Sequence, residues 1–514
     1  MALTFIQTPD YGSSSSNFTY PLWWRNHVIF GISESVDLSS YFKVKFILRV
    51  YEDSIAGNLV ATLRQPWNGY ENGAGQYWRT FFDIKDIVGS TLDFTVEDAS
   101  STFPTQRAIH GLGTSLNNTD KPVSTSNNVL KRFTIQGSYE YSTTATGSVV
   151  EYSGTKPEFD IQFLNSTYFT PPEISTTTND LDYNPIESLY KPAASPLGKF
   201  FSNVPTDEKV GTQYDFTELS SAGGVEDLRF NNTKYLQFIG QNDKATLSFM
   251  ANNSSAKTTI TVYKAASSVT GYFLNDATNG GGSSSSPADD SARLIHIGAG
   301  PQNLNQQTIS NASNINGTFT TGDWLYYVVN VESTASAPGV SDYYFVNQKY
   351  MTNCQMTNQW NNLDTIVSTR QSQSYIRLGW INAFGCWDYF NFAMKNTSII
   401  EIKETVRKQT PSGEFSGENY TENTFANTDS SVSIGAIRSM TLNSGYMSEG
   451  TAKMLQWLLK SPLVQYIRYG TGETSVPVII KSTSMDVKTT INNGSRISYT
   501  INIQFSHNEP VTVR

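Results

Sequence analysis

The residues able to do chemistry are few and scattered. Four histidines, His27, His110, His296 and His507, are widely separated, and none sits at a metal-ligand spacing. Gly111-Leu112-Gly113 opens like a dinucleotide fingerprint but lacks the third glycine and a strand–helix setting, so it reads as a loop. No Gly-x-Ser-x-Gly elbow and no phosphate-binding Gly-Lys-Ser/Thr loop is present. Carboxylates such as Glu151, Asp160, Asp180 and Asp182 are common in a chain with 45 acidic residues. Glycoside hydrolysis needs two of them about 5–10 Å apart across a cleft, a distance that sequence does not carry. No catalytic residue, cofactor site or metal site is assigned, and a non-enzymatic role is expected.

Aromatic side chains are the better candidates for contact. Trp23 and Trp24 form one pair, and Trp67, Tyr70, Tyr77 and Trp78 form a second set around a Gly/Asn-rich loop. Flat rings offer large contact area at low entropic cost, to a sugar or to a protein surface. The competing reading is that these rings pack the edge of a β-sandwich. The two cysteines, Cys354 and Cys386, cannot make a disulfide framework. They could pair with each other, or serve as two small apolar residues.

The elements that must position these residues read as strands. Phe42–Tyr51 alternates basic and apolar residues, Ala56-Gly57-Asn58 follows as a turn, and Leu59–Leu63 completes a hairpin. Trp78–Ile87, Leu92–Val96 and Leu130–Gln136 continue a β-sandwich with long loops over residues 1–145. Residues 146–232 are a loop-rich, extended connector, Pro- and Ser/Thr/Asn-rich. A central β domain, 233–335, begins with Tyr235–Ile239, Ala245–Met250 and Thr258–Tyr263. Asn252–Ser255 is the turn between the last two, and Arg293–Ile297 and Trp324–Val331 are expected to continue the sheet. Gly280–Ser286 is a flexible loop by composition.

The C-terminal domain, 336–514, carries strands at Tyr375–Trp380, Asp388–Phe392 and Ser398–Lys408, and one helix at Ser448–Lys460. Ser448 can cap that helix, and Met454, Leu455, Leu458 and Leu459 form its apolar stripe. Val476–Lys481, Asp486–Thr490 and Arg496–Phe505 close the domain, with Asn492-Asn493-Gly494 as a hairpin turn. The expected fold is all-β: multiple antiparallel β-sandwich domains with one short C-terminal α-helix.

Composition supports this and excludes other classes. Only 16% of the 514 residues are charged, while 13% are aromatic. Tyr, Phe and Thr suit a pleated surface, and so many aromatics argue against wholesale disorder. A net charge of −9 leaves no Lys/Arg surplus for a nucleic-acid backbone. The N-terminal residues lack the basic and apolar regions of a signal peptide, and no run of eighteen apolar residues spans a membrane. Synthesis in a cytoplasm is expected, with release by a route such as lysis.

Three C-terminal segments stand out: YIRLGWINAFGCWDYFNF at Tyr375–Phe392, the helix end Met454–Lys460 with Ser461-Pro462 and Val464–Tyr469, and the ending Val476–Ile480, Asp486–Lys488 and Tyr499–Phe505. Together they resemble a loosely defined family of virion structural proteins of tailed phages, including those of Bacteroidetes hosts and marine environments. At the other end, Lys43–Leu63 and Phe81–Val88 resemble the family's opening hairpin through Val60-Ala61-Thr62 and Phe82-Asp83-Ile84. Cys386 departs from it, since a glycine or small residue is usual there. The resemblance leaves the middle of the chain, residues 100–330, unmatched and carries no functional residues.

What it implies is a tail, neck or baseplate component of the virion. Its partners would be other tail or neck proteins and copies of itself in a ring, with a hexamer as the analogous assembly. A receptor- or glycan-binding adhesin that meets host surface glycan is the first alternative, and a virion-associated polysaccharide depolymerase the second.

Overall fold

The computed structural model describes residues 3–9, 22–23, 27–67, 69–70, 78–94, 110, 123–125, 129–165, 173–174, 181–182, 200–204, 235–251, 256–264, 267–274, 293–305, 318–319, 324–333, 343–347, 375–392, 394, 396–408, 413–422, 429–447, 449–467, 475–482, 497–506 and 509–513. These residues form an all-β protein of several mostly antiparallel sheets. Two compact units divide the chain. The first holds Met1–Thr352, Trp380–Asp388 and Tyr469–Glu473, and the second holds Asn353–Gly379, Tyr389–Arg468 and Thr474–Arg514.

Within the first unit, the N-terminal sandwich follows the expected hairpin. Phe42–Glu52 pairs with Asn58–Pro66 on one side and with Leu130–Ser142 on the other, both antiparallel. The alternation puts Phe46, Leu48 and Val50 into the core with Phe133 and Ile135. A second sheet, carrying Thr4–Gln7, Ile29–Glu34, Trp78–Asp83 and Gly69–Tyr70, covers that face. The Phe30 ring meets Phe159 of the first sheet edge-on at 5.6 Å. The sheet does not stop at residue 145: Glu158–Leu164 pairs with the Leu130–Gln136 half of Leu130–Ser142. Its outer face is a polar ladder, with Arg49 opposite Gln136 and bonded to Glu151, and Arg132 bonded to Asp160.

The strand expected at Trp78–Ile87 ends at Asp83, and Lys85–Thr91 is a helix. The Asp83 carboxylate bends the chain there by accepting the N–H groups of both Val28 and Lys85. With Pro301–Asn305 and Glu449–Lys460, the described residues hold three short helices rather than one.

The central strands lie where expected but pair differently. Thr246–Ala251 joins Arg293–Gly298, which also pairs with Val123–Thr125. Ala256–Lys264 lies in another sheet, between Ser268–Leu274 and Trp324–Ser333. The turn expected at residues 252–255 lies outside the described residues, and the strands on either side of it belong to different sheets instead of pairing as a hairpin. Phe200 joins the two layers, its ring edge-on to Phe249 of one and Tyr343 of the other. Some pairings are parallel, among them those of Leu22–Trp23 with Phe163–Leu164 and of Tyr235–Ile239 with Tyr343–Asn347.

The second unit is built on an eight-stranded sheet. Its helix, Glu449–Lys460, buries Met454, Leu455 and Leu458 of the stripe read from sequence and leaves Leu459 half-buried. Ser448 and the turn at 492–494 lie outside the described residues. At the far edge, Thr397–Lys408 pairs along its whole length with Asp429–Met447. All twelve residues of that edge strand are exposed. Beside it in sequence, Gly413–Ser416 and Asn419–Glu422 form an exposed hairpin in which Phe415 faces Tyr420.

Candidate functional site

The six aromatic candidates separate. Trp67 and Trp78 come together, edge-on at 4.6 Å. Trp78 is buried in the sandwich core, whereas Trp67 is 43% exposed. Tyr70 stands opposite Trp78 in the backbone pairing, and Trp23 opposite Leu164 in the other sheet. Trp24 and Tyr77 lie outside the described residues. One exposed ring backed by a buried one is what the described structure offers at this edge.

Two of the carboxylates noted in sequence, Glu151 and Asp160, are engaged along the outer face of the N-terminal sandwich. Arg49 grips Glu151 with two bonds of 2.6 and 2.7 Å, and Ser138 and Lys156 add 2.8 and 2.6 Å contacts. The guanidinium above all holds the Glu151 carboxyl down at about 2. Such a group stays ionised and is unsuited to donating a proton near neutral pH. Asp160 accepts from Thr134 at 2.5 Å and Arg132 at 3.1 Å. For Asp182 the structure gives only its strand pairing, and Asp180 lies outside the described residues.

A denser constellation forms deep in the first unit. It draws on segments that sequence keeps far apart: Phe200–Val204, Thr246–Ala251, Arg293–Gly298 and the turn from Asn382 to Asp388. Ser202 Oγ donates to Asp388 Oδ1 at 2.6 Å, and the Asn203 N–H donates to Oδ2 at 2.8 Å. Asn382 Nδ2 donates to the Phe201 carbonyl at 2.8 Å, while Asn203 Oδ1 accepts from Ala383 N at 2.8 Å. Ser248 Oγ lies 2.7 Å from His296 Nδ1 and also against the Cys386 thiol. All of these side chains except Asn203 are buried.

Cysteine, serine, histidine and aspartate together are the residue types of nucleophilic catalysis, but the electrostatics run the wrong way. Burial pushes the Cys386 thiol up to about 12, so no thiolate forms near neutral pH. Burial also holds the His296 imidazole down at about 4. Its Nε2 meets no partner among the described residues. Asp388 is raised to about 6, again chiefly by burial and despite its hydrogen bonds. The cluster is therefore a polar latch that ties the Phe200–Val204 segment to the turn. Of the other histidines, His110 packs edge-on against Trp387 and His27 bonds Asp83 at the surface, while His507 lies outside the described residues. Among the described residues no group of His, Cys, Asp and Glu could hold a metal ion. Cys354 also lies outside them.

The latch has a pH signature. The raised Asp388 contributes stability that is fully present below its ordinary value of 3.8 and lost as pH rises through about 6. The depressed His296 contributes stability present above 6.5 and lost as pH falls through about 4. The two oppose each other between pH 4 and 6. Relative to the parent, His296→Gln should gain stability on acidification across this window and Asp388→Asn should lose it. Each difference is bounded at about 1.4 kcal/mol per pH unit, one proton's worth. Denaturant unfolding at several pH values measures it, and parallel profiles for all three proteins would refute the assignment.

Sequence reading missed the latch because its members come from four separate segments and carry no shared motif. The one local signal was Asn382 three residues before Gly385, a turn pairing whose importance shows only once the turn is buried. No family model matches the chain, and no curated protein matches it. No described helix is long and apolar enough to cross a membrane.

Proposed function

We propose that this chain is a structural component of a tailed-phage virion, a ring-forming tail, neck or baseplate protein that docks neighbouring tail proteins and fibres. The observation that carries the reading is the edge ribbon, Thr397–Lys408 on Asp429–Met447. A strand with every residue exposed, four of them Ile or Val more than half exposed, is a liability for a lone soluble protein and useful in an assembly. The neighbouring hairpin adds Phe415, 75% exposed, on a two-stranded element that is marginal in water by itself. The resemblance of both chain ends to virion proteins supports the same reading.

Electron microscopy of the purified full chain at rising concentration, with antibody labelling of particles from a producing lysate, tests it. Rings or stacked oligomers and decorated tails are expected. A chain that stays monomeric throughout and an antibody that labels no particle would sink the reading. The exposed Trp67 ring favours a second reading, a glycan-binding adhesin. Glycan-array binding that disappears in Trp67→Ala would support it. Trp78→Ala is a poor probe, because that ring belongs to the core.

A further inference from the structure

We infer that Thr397–Lys408 pairs edge to edge with the same strand of a second copy, antiparallel, with Ile402 on the two-fold axis. The strand ends its sheet, so among the described residues its outer edge has no strand beside it. Such an edge presents unpaired N–H and C=O groups to any extended chain of suitable side-chain pattern. Its own pattern names the partner. On one face lie Ile400, Ile402, Glu404 and Val406, and on the other Ile399, Glu401, Lys403, Thr405 and Arg407. Exposure is 63% at Ile400, 66% at Ile402 and 51% at both Ile399 and Val406.

A two-fold axis perpendicular to the sheet keeps each side chain on its own face, so one residue must face itself. With Ile402 there, Glu401 faces Lys403 of the second copy, and Lys403 faces its Glu401. Ile399 faces Thr405, Ser398 faces Val406, Thr397 faces Arg407, and no like charges are opposed. Axes at Glu401, Lys403 or Glu404 set two identical charges face to face, which destabilises a cross-strand pair. An axis at Thr405 opposes Lys403 to Arg407. An axis at Ile400 shortens the ladder and loses both Glu–Lys pairs. The charges that would blunt this edge against other chains therefore complement one another in a self-pairing.

This contact is isologous: it joins two copies and cannot close a ring, which needs a separate head-to-tail surface. It rests on the reading above in taking self-assembly as the chain's task. Sedimentation velocity on the full chain tests the two apart. Glu401→Lys and Lys403→Glu, each alone, turn both charge pairs into like pairs and should weaken edge dimerisation about tenfold or more. Mixed together, the two variants restore opposite charges at every pair, so a heterodimer should form where neither homodimer does. Ile402→Cys should cross-link copies under mild oxidation while Thr405→Cys does not, because only a residue on the axis meets its own copy at disulfide distance. All these positions are exposed, so folding is not at stake. Self-association unchanged in every variant, with no cross-link at Ile402→Cys, would overturn edge pairing and leave the ring reading standing. A parent chain monomeric at every concentration would overturn both.

Discussion

Gly385→Ala is expected to lower the stability of the first unit by about 4 kcal/mol, among the largest effects of a single added methyl group. Two costs add. Gly385 has φ +78°, in the left-handed region, where a β-carbon costs about 1–2 kcal/mol. A β-carbon there would also collide with the Asn165 carbonyl oxygen, and backbone cannot rotate away as a side-chain tip can. Moving Asn165 strains its 2.7 Å bond to the Val129 carbonyl, which ties the end of Glu158–Leu164 to the start of Leu130–Ser142. Gly417 provides the control. Its φ is +66°, yet nothing lies within 4 Å of an added β-carbon. Gly417→Ala should cost only the conformational share, about 1–2 kcal/mol. Urea unfolding followed by tryptophan fluorescence measures both, and equal losses would show that the Asn165 contact is not what demands glycine.

Asn382→Ala should be nearly as damaging, about 3–5 kcal/mol, although it removes only one small amide. The side chain is fully buried and makes three bonds to backbone. Its Oδ1 accepts from Phe384 N at 2.9 Å and Cys386 N at 3.0 Å, and its Nδ2 donates to Phe201 O at 2.8 Å. Alanine strands two donors and one acceptor away from water, each costing about 1–3 kcal/mol before relaxation. Asn382→Asp keeps the acceptor, loses the donor and places a second carboxylate beside Asp388, which now draws a hydrogen bond from Asn382. It should be destabilised most near neutral pH and recover on acidification, whereas Asn382→Ala should show no such recovery. Because Gly385 and Asn382 shape one turn, the double alanine variant should lose less than the sum of the single losses. Strict additivity would mean the turn is not acting as a unit.

Both residues shape the turn from Asn382 to Asp388, and their roles explain its geometry. The Asn–Gly pairing sets a turn whose tip is buried instead of solvated. Cys386 does not disturb it: the left-handed position is Gly385, and Cys386 places a buried, protonated thiol against Ser248.

Much of the architecture was legible locally. Alternation in Phe42–Glu52, the Gly57 turn after it and most of the stripe Met454, Leu455, Leu458 and Leu459 follow from backbone period and side-chain polarity, so those elements appear where their residues require. The exposed ribbon was legible only as a strand. The structure leaves Ile399, Ile400, Ile402 and Val406 in solvent because the strand ends its sheet and neither of its faces is covered.

Strand partners were not local. Thr246–Ala251 and Ala256–Lys264 look like a hairpin, yet each finds its ladder elsewhere, because a four-residue connection can fold a strand back beside its neighbour or carry it to the facing sheet. Nothing in residues 252–255 distinguishes the two; the packing of Phe200 between the layers does. The scarcity of chemistry-bearing residues was plain from the sequence. Where the few of them meet was decided by tertiary structure alone. Burial then altered their character: the same Cys, His and Asp that would be reactive in water become a thiol, a neutral imidazole and a tightly held carboxyl once desolvated together. Residue types and periods belong to the chain, while dielectric surroundings and strand partners exist only after folding.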